Sequence, residues 1–218
     1  MDNQDIENLI KKSLMQLKEI LERDTLNYNI FFPKYSSGET RYSEQELKCL
    51  FLSNICKSEF LYTVETPSKR AYRFKNKKPL VLWENEVSND TYKSSMIDVS
   101  LYAGKKENLL SHIEFKHGTG SVFPIQKDFL KMICESDNVK KNYFVHYVEK
   151  ANEATKKAIF EKYRTAINSI KDLNGNICDI DQRWNKVEVF LFLDGLNELY
   201  YFPLSIIENN LEDYKESL

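Results

Sequence analysis

Two segments of alternating polarity, MIDVSLYA (96–103) and LLSHIEFKHG (109–118), flank the five-residue sequence GKKEN. Alternation with period two marks a strand whose two faces meet different surroundings. In the first segment Ile97, Val99 and Leu101 share one face and leave Asp98 with Ser100 on the other. In the second, Ile113 and Phe115 share a face, and His112, Glu114 and Lys116 share its opposite. A hairpin folded about Lys106 sets Asp98 opposite Glu114, with directly opposed Cβ atoms about 4.5–5.5 Å apart. Two carboxylates and a lysine then occupy one face.

Like charges so opposed are destabilising and need compensation. One reading is a hairpin with an exposed polar face, on which Lys116 pairs with Asp98 or Glu114. The other is a site for a hard divalent cation, which takes oxygen ligands and is often held by one or two carboxylates. On the second reading, removing Asp98 relieves repulsion and stabilises the metal-free protein.

The rest of the chain supplies the frame. Ile6, Ile10, Leu14, Leu17 and Leu21 form one stripe on a helix over 3–23. Such a helix packs on its own domain, on a second copy in a homodimer, or on a partner protein. A second helix starts at SEQELKCLFLSNICKSEF, where Ser43 and Glu46 make a capping box. Leu47, Phe51, Asn54 and Ile55 face inward on it. Glu44, three residues before Leu47 and seven before Phe51, shares the edge of that face and has no capping duty.

From 60 to 148, FLYTVET, AYRFK, PLVLWENEV, the two hairpin segments and NYFVHYVE are rich in β-branched and aromatic residues. Between the last two, Pro124 opens an amphipathic helix with Ile125, Phe129, Met132 and Ile133 inward. A helix over 150–172 and a hairpin turning near Asp194-Gly195 complete the pattern. The fold class expected is α/β (α+β), a mixed central β-sheet flanked by helices. Residues 1–40 form an N-terminal helical extension and 41–148 the core. Residues 149–218 add a C-terminal helix and hairpin packed on that core, within one globular domain.

With 218 residues and 42% apolar content, the chain can bury a real core. No apolar run approaches 18 residues, so no membrane span is expected. The acidic start MDNQDIENLI does not resemble a signal peptide. Four cysteines without metal-ligand spacing, of which Cys49 and Cys56 read as core residues, suit a reducing cytoplasm. A net charge of −2 gives no global attraction to polyanions. The one strongly basic stretch, SKRAYRFKNKK (68–78), sets Arg70, Arg73 and Lys75 among Tyr72 and Phe74. That mixture suits a nucleic-acid backbone and exposed bases, or an ordinary charged edge hairpin.

Asp98, fifteen intervening residues and then Glu114-Phe115-Lys116 resemble the PD-(D/E)XK nuclease superfamily, the restriction-endonuclease-like fold. The order of elements matches over residues 43–148: helix 43–57, strands through 98 and 114–116, helix 124–135, strand 142–148. SEQEL resembles the ERELV-like helix of archaeal junction-resolving members, and aligning on Leu47 makes Glu44 the counterpart of their glutamate. Ile97, not proline, precedes Asp98.

The resemblance implies a metal-dependent nuclease using Mg²⁺ or Mn²⁺, with DNA ahead of RNA as substrate, in defence, restriction or repair. It assigns Asp98, Glu114, the Phe115 carbonyl and Glu44 to the metal, and Lys116 to the attacking water. Gln126 or Lys127, at the start of the following helix, would meet a phosphate. The alternative is a catalytically silent scaffold or regulatory subunit of the same fold that binds nucleic acid or a partner protein.

Overall fold

Apolar residues line both sides of a single sheet. The computed structural model describes residues 3–23, 30–75, 78–82, 93–171 and 183–216, with side chains given except at 23, 71, 73–75, 78–82, 93 and 94. Helices α1 (Asn3–Arg23) and α2 (Glu44–Ile55) precede strands β1 (Phe60–Lys75), β2 (Lys78–Leu82), β3 (Lys93–Ala103) and β4 (Leu109–His117). Helix α3 (Val122–Cys134), strand β5 (Asn142–Val148) and helix α4 (Glu153–Lys171) follow. Strands β6 (Val187–Leu193), β7 (Glu198–Pro203) and β8 (Lys215–Glu216) end the chain. Among the described residues the sheet has eight strands in the order β2-β1-β3-β4-β5-β6-β7-β8. Only β4-β5 and β5-β6 are parallel. Each parallel step needs a crossover, and α3 and α4 supply them. The fold is mixed α/β, as the sequence led one to expect.

Period two sorts the core. From β5, Tyr143, Val145 and Tyr147 join α1 and α2, whereas Phe144 and Val148 join α3 and α4. From β6, Phe190 and Phe192 go to the first cluster and Val189, Leu191 and Leu193 to the second. Helices therefore cover both faces, and strands buried on both sides read as continuous apolar runs. The α1 stripe is used within the chain: Ile6, Ile10, Leu14, Leu17 and Ile20 are buried on α2 and the sheet, with Leu21 only partly covered. Asn54 ties the two helices together by donating to Ser13 Oγ at 2.9 Å and Gln16 Oε1 at 2.7 Å. That docking takes the stripe away from the homodimer or partner contact considered for it.

Several local expectations change. FLYTVET and AYRFK are one 16-residue strand, bent where Glu65 adopts φ 49° and the register shifts between Pro67 and Ala71. Cys49 and Cys56 are exposed, because Leu47, Leu50, Phe51, Asn54 and Ile55 take the inward face of α2. Ser43 caps α2 by accepting from Gln45 N, and Glu46 reaches the Ser43 hydroxyl. Trp83 to Val87 of PLVLWENEV, and Cys178, lie outside the described residues. The C-terminal hairpin turns through 194–196, and Gly195 sits so close to the chain at Ala151 that a Cβ would lie 2.2 Å from its carbonyl oxygen.

Candidate functional site

The hairpin register is the one centred on Lys106: Val99 faces Ile113, Ser100 faces His112 and Leu101 faces Ser111. Pairing of β3 with β4 stops at Val99 and Ile113. Beyond it, where Asp98 and Glu114 come level, side chains replace the ladder. Asp98 N donates to Glu114 Oε1 at 3.2 Å, and Phe115 N donates to Asp98 Oδ2 at 2.8 Å. The strands part here, and the expected alternation breaks: Ile97 packs with the α3 and α4 cluster, while Val99 and Leu101 pack with α2.

A cavity of about 520 Å³ opens at this parting, with Glu44, Asp98, Glu114, Phe115 and Lys116 among its lining residues. Glu44 comes from the first turn of α2, Lys116 from the end of β4, and Lys127, Asp128 and Lys131 from α3. Glu114 is only 4% exposed, which removes the reading of an exposed polar hairpin. Its carboxylate is paired with a lysine that the sequence did not single out: Lys131 Nζ lies 2.6 Å from Glu114 Oε1. Lys131 also donates to the Met96 carbonyl at 2.7 Å. Asp98 is met by Lys48 at 3.2 Å, and Lys48 also pairs with Glu65. Lys116 pairs with neither hairpin acid but with Asp128, at 3.2 Å.

Burial pushes the Glu114 carboxyl well above the usual carboxylate range; Lys131 opposes the rise, and Asp128 and Asp98 add to it. Glu44 is raised too, mainly by burial, with Asp98 and Asp128 working against Lys116 and Lys48. Burial disfavours the Lys116 charge, but Asp128, then Glu44 and Glu114, outweigh it and raise the Lys116 pKa. Lys116 is thus an ammonium at neutral pH, suited to stabilise negative charge rather than to take a proton.

The phosphate- and base-contacting residues fare differently. Lys127 lines the cavity, whereas Gln126 is buried in α3 and is not part of the lining. Arg70 is buried and ion-paired with Asp137, so it faces the interior rather than a nucleic acid. The adjacent Lys69 and Arg70 N–H groups donate to the Glu135 carboxylate at 3.0 and 3.1 Å, pinning the bend of β1 to the end of α3. The side chains of Arg73 and Lys75 lie outside those described. His112 is a structural residue, with Nδ1 2.8 Å from Ser100 Oγ. His117 lies 2.7 Å from Glu149 and stacks between Tyr42 and Tyr147.

The charged partners Lys48, Asp128 and Lys131 were among the residues missed. Each carried a signal. Lys48 follows Glu44 by one helical turn, and Asp128 falls three residues after Ile125 and four before Met132, inside an apolar stripe. Lys131 stands one helical turn beyond Asp128.

The donor chemistry suits a hard divalent cation: the acids Glu44, Asp98 and Glu114 line one cavity. No group of three or more His, Cys, Asp or Glu side chains among the described residues converges closely enough to hold a metal ion. Asp98 and Glu114 remain as the pair, which is within what Mg²⁺ asks of a protein when water and phosphate complete its shell. No helix among the described residues is long and apolar enough to cross a membrane. No family model, curated protein or solved structure matches the chain.

Proposed function

We propose that the chain is a metal-dependent nuclease with a restriction-endonuclease-like core, hydrolysing phosphodiester bonds of nucleic acid, DNA ahead of RNA. The observation that carries this reading is the convergence of Glu44 from α2, Asp98 from β3, and Glu114 and Lys116 from β4 on one cavity. Asp98 and Glu114 would hold Mg²⁺ or Mn²⁺, with the Phe115 carbonyl and Glu44 beside them. When bound, the ion supplies charge neutralisation at phosphate and makes water more acidic.

The protein's own groups do the rest. The Phe115 N–H fixes Asp98, and the Asp98 N–H fixes Glu114. Lys116, held by Asp128 at the cavity wall, offers an ammonium to the negative charge that grows on the phosphorus oxygens as water attacks. Lys127, in the second turn of α3, lines the same cavity and would bring a further ammonium to a bound phosphate. A cytoplasmic setting, in defence or repair, fits the free thiols of Cys49, Cys56 and Cys134.

A silent scaffold of the same fold is the second reading, favoured by the lysines that already neutralise Glu114 and Asp98. One experiment separates the two. Single- and double-stranded DNA and RNA are incubated with the protein in Mg²⁺, Mn²⁺ or EDTA, beside Asp98→Ala and Lys116→Ala. Cutting by the wild type alone, only with metal, supports the nuclease and names its substrate. No cutting and no metal-dependent rise in melting temperature supports the scaffold.

A further inference from the structure

The nuclease reading leaves unexplained why a lysine is buried against its most buried acid. Lys131 is 3% exposed and comes from the last turn of α3, at the wall of the cavity that Glu44 also lines. Burying an ammonium is costly unless it is paired and hydrogen-bonded. Lys131 meets both demands at once, through Glu114 Oε1 and the Met96 carbonyl.

Three of the four carboxylate oxygens of the two hairpin acids are already engaged. Glu114 Oε1 accepts from Asp98 N and from Lys131. Asp98 Oδ2 accepts from Phe115 N, and its Oδ1 from Lys48. An ammonium held on a carboxylate offsets the negative charge that would draw a divalent cation to it. A second anchor for the ammonium is close: Asp128 Oδ1 lies 3.7 Å from Lys131 Nζ.

We propose that Lys131 is a resident counter-ion of Glu114 that lets the site fold without metal and weakens its hold on a divalent cation, whose entry shifts Lys131 toward Asp128. This rests on the nuclease reading. It adds to it a device within the chain that lowers metal affinity and couples metal entry to a movement of α3's lysine.

The test measures Mn²⁺ binding to the full chain by the electron paramagnetic resonance of the free ion, for wild type, Lys131→Gln and Lys131→Arg. Lys131→Gln, neutral and still able to donate to Met96, is expected to bind Mn²⁺ about tenfold more tightly than wild type. Lys131→Arg keeps the charge and is expected to bind no more tightly than wild type. A second readout needs no variant: reductive methylation of Lys131 in the wild type, followed by mass spectrometry, should rise when Mn²⁺ is added. Equal affinity in Lys131→Gln and wild type, or unchanged labelling while Mn²⁺ binds, overturns the counter-ion role and leaves the metal reading standing. Absence of Mn²⁺ binding in every form at millimolar concentration overturns the metal reading and this proposal with it.

Discussion

Asp98 and Glu114 are bound to each other's strands: Phe115 N–H donates to Asp98 at 2.8 Å, and Asp98 N–H donates to Glu114 at 3.2 Å. Each acid takes over a backbone group that the parting of β3 and β4 would leave without a ladder partner. The pair is therefore a splint at the mouth of the cavity as well as a candidate ligand set.

That splint reverses the expectation that removing Asp98 relieves repulsion. Asp98→Ala leaves the Phe115 N–H and the buried Lys48 without an acceptor on β3. Losing such partners costs about 1–3 kcal/mol. Unfolding by urea in EDTA should show the variant less stable than wild type by this order. A rise in its midpoint would mean that repulsion between the acids outweighs the splint.

Acid should weaken the fold through two buried histidines. His146 Nε2 can only donate to the Gly118 carbonyl, at 2.7 Å, so its Nδ1 accepts from the Tyr163 hydroxyl and the ring is neutral. Burial lowers the pKa of His146 to about 4, and that of His112 likewise to about 4. Between these values and the ordinary histidine pKa, near 6.5, the unfolded chain binds protons that the folded chain refuses. The histidines' contribution is then full above about pH 6.5 and falls as the pH drops toward 4, by at most about 3 kcal/mol for each, while Glu114 and Glu44, whose carboxyls burial raises, contribute in the opposite direction. In urea unfolding from about pH 7.5 to 4.5, the stability of the wild type relative to His146→Gln should fall as the pH drops, by the contribution of one histidine. An unchanged slope in the variant would remove His146 from the account.

Arg70 belongs to the interior, and its loss should be felt there. Its guanidinium pairs with Asp137, which Arg183 also meets, beside Glu135 at the end of α3. Removing Arg70 takes the guanidinium from the buried Glu135 carboxylate, and breaking a buried pair by removing one partner costs about 3 kcal/mol. Arg70→Met is expected to lower the unfolding free energy by that order, while nucleic-acid affinity, measured per folded molecule at fixed salt, stays at the wild-type value. A loss of affinity with no loss of stability would return Arg70 to the binding surface.

Alternation and helical spacing along the chain determined the mixed α/β class, the helices and the register that brings Asp98 level with Glu114. They also marked Glu44 as an acid at the edge of the buried face of α2, where it does line the cavity. These features are local: they depend on period, capping and turn length within a few residues. Tertiary structure decided the partners. Lys131 answers Glu114 across 17 positions and Lys48 answers Asp98 across 50, while Asp128 draws Lys116 away from the hairpin acids. The same placement buries Arg70 and leaves Cys49 and Cys56 exposed. Ion pairs of this kind depend on which edge of each helix lies over the gap between β3 and β4. Periodicity names the face a helix buries, but the partners along its edge are set only when the helices close over the sheet.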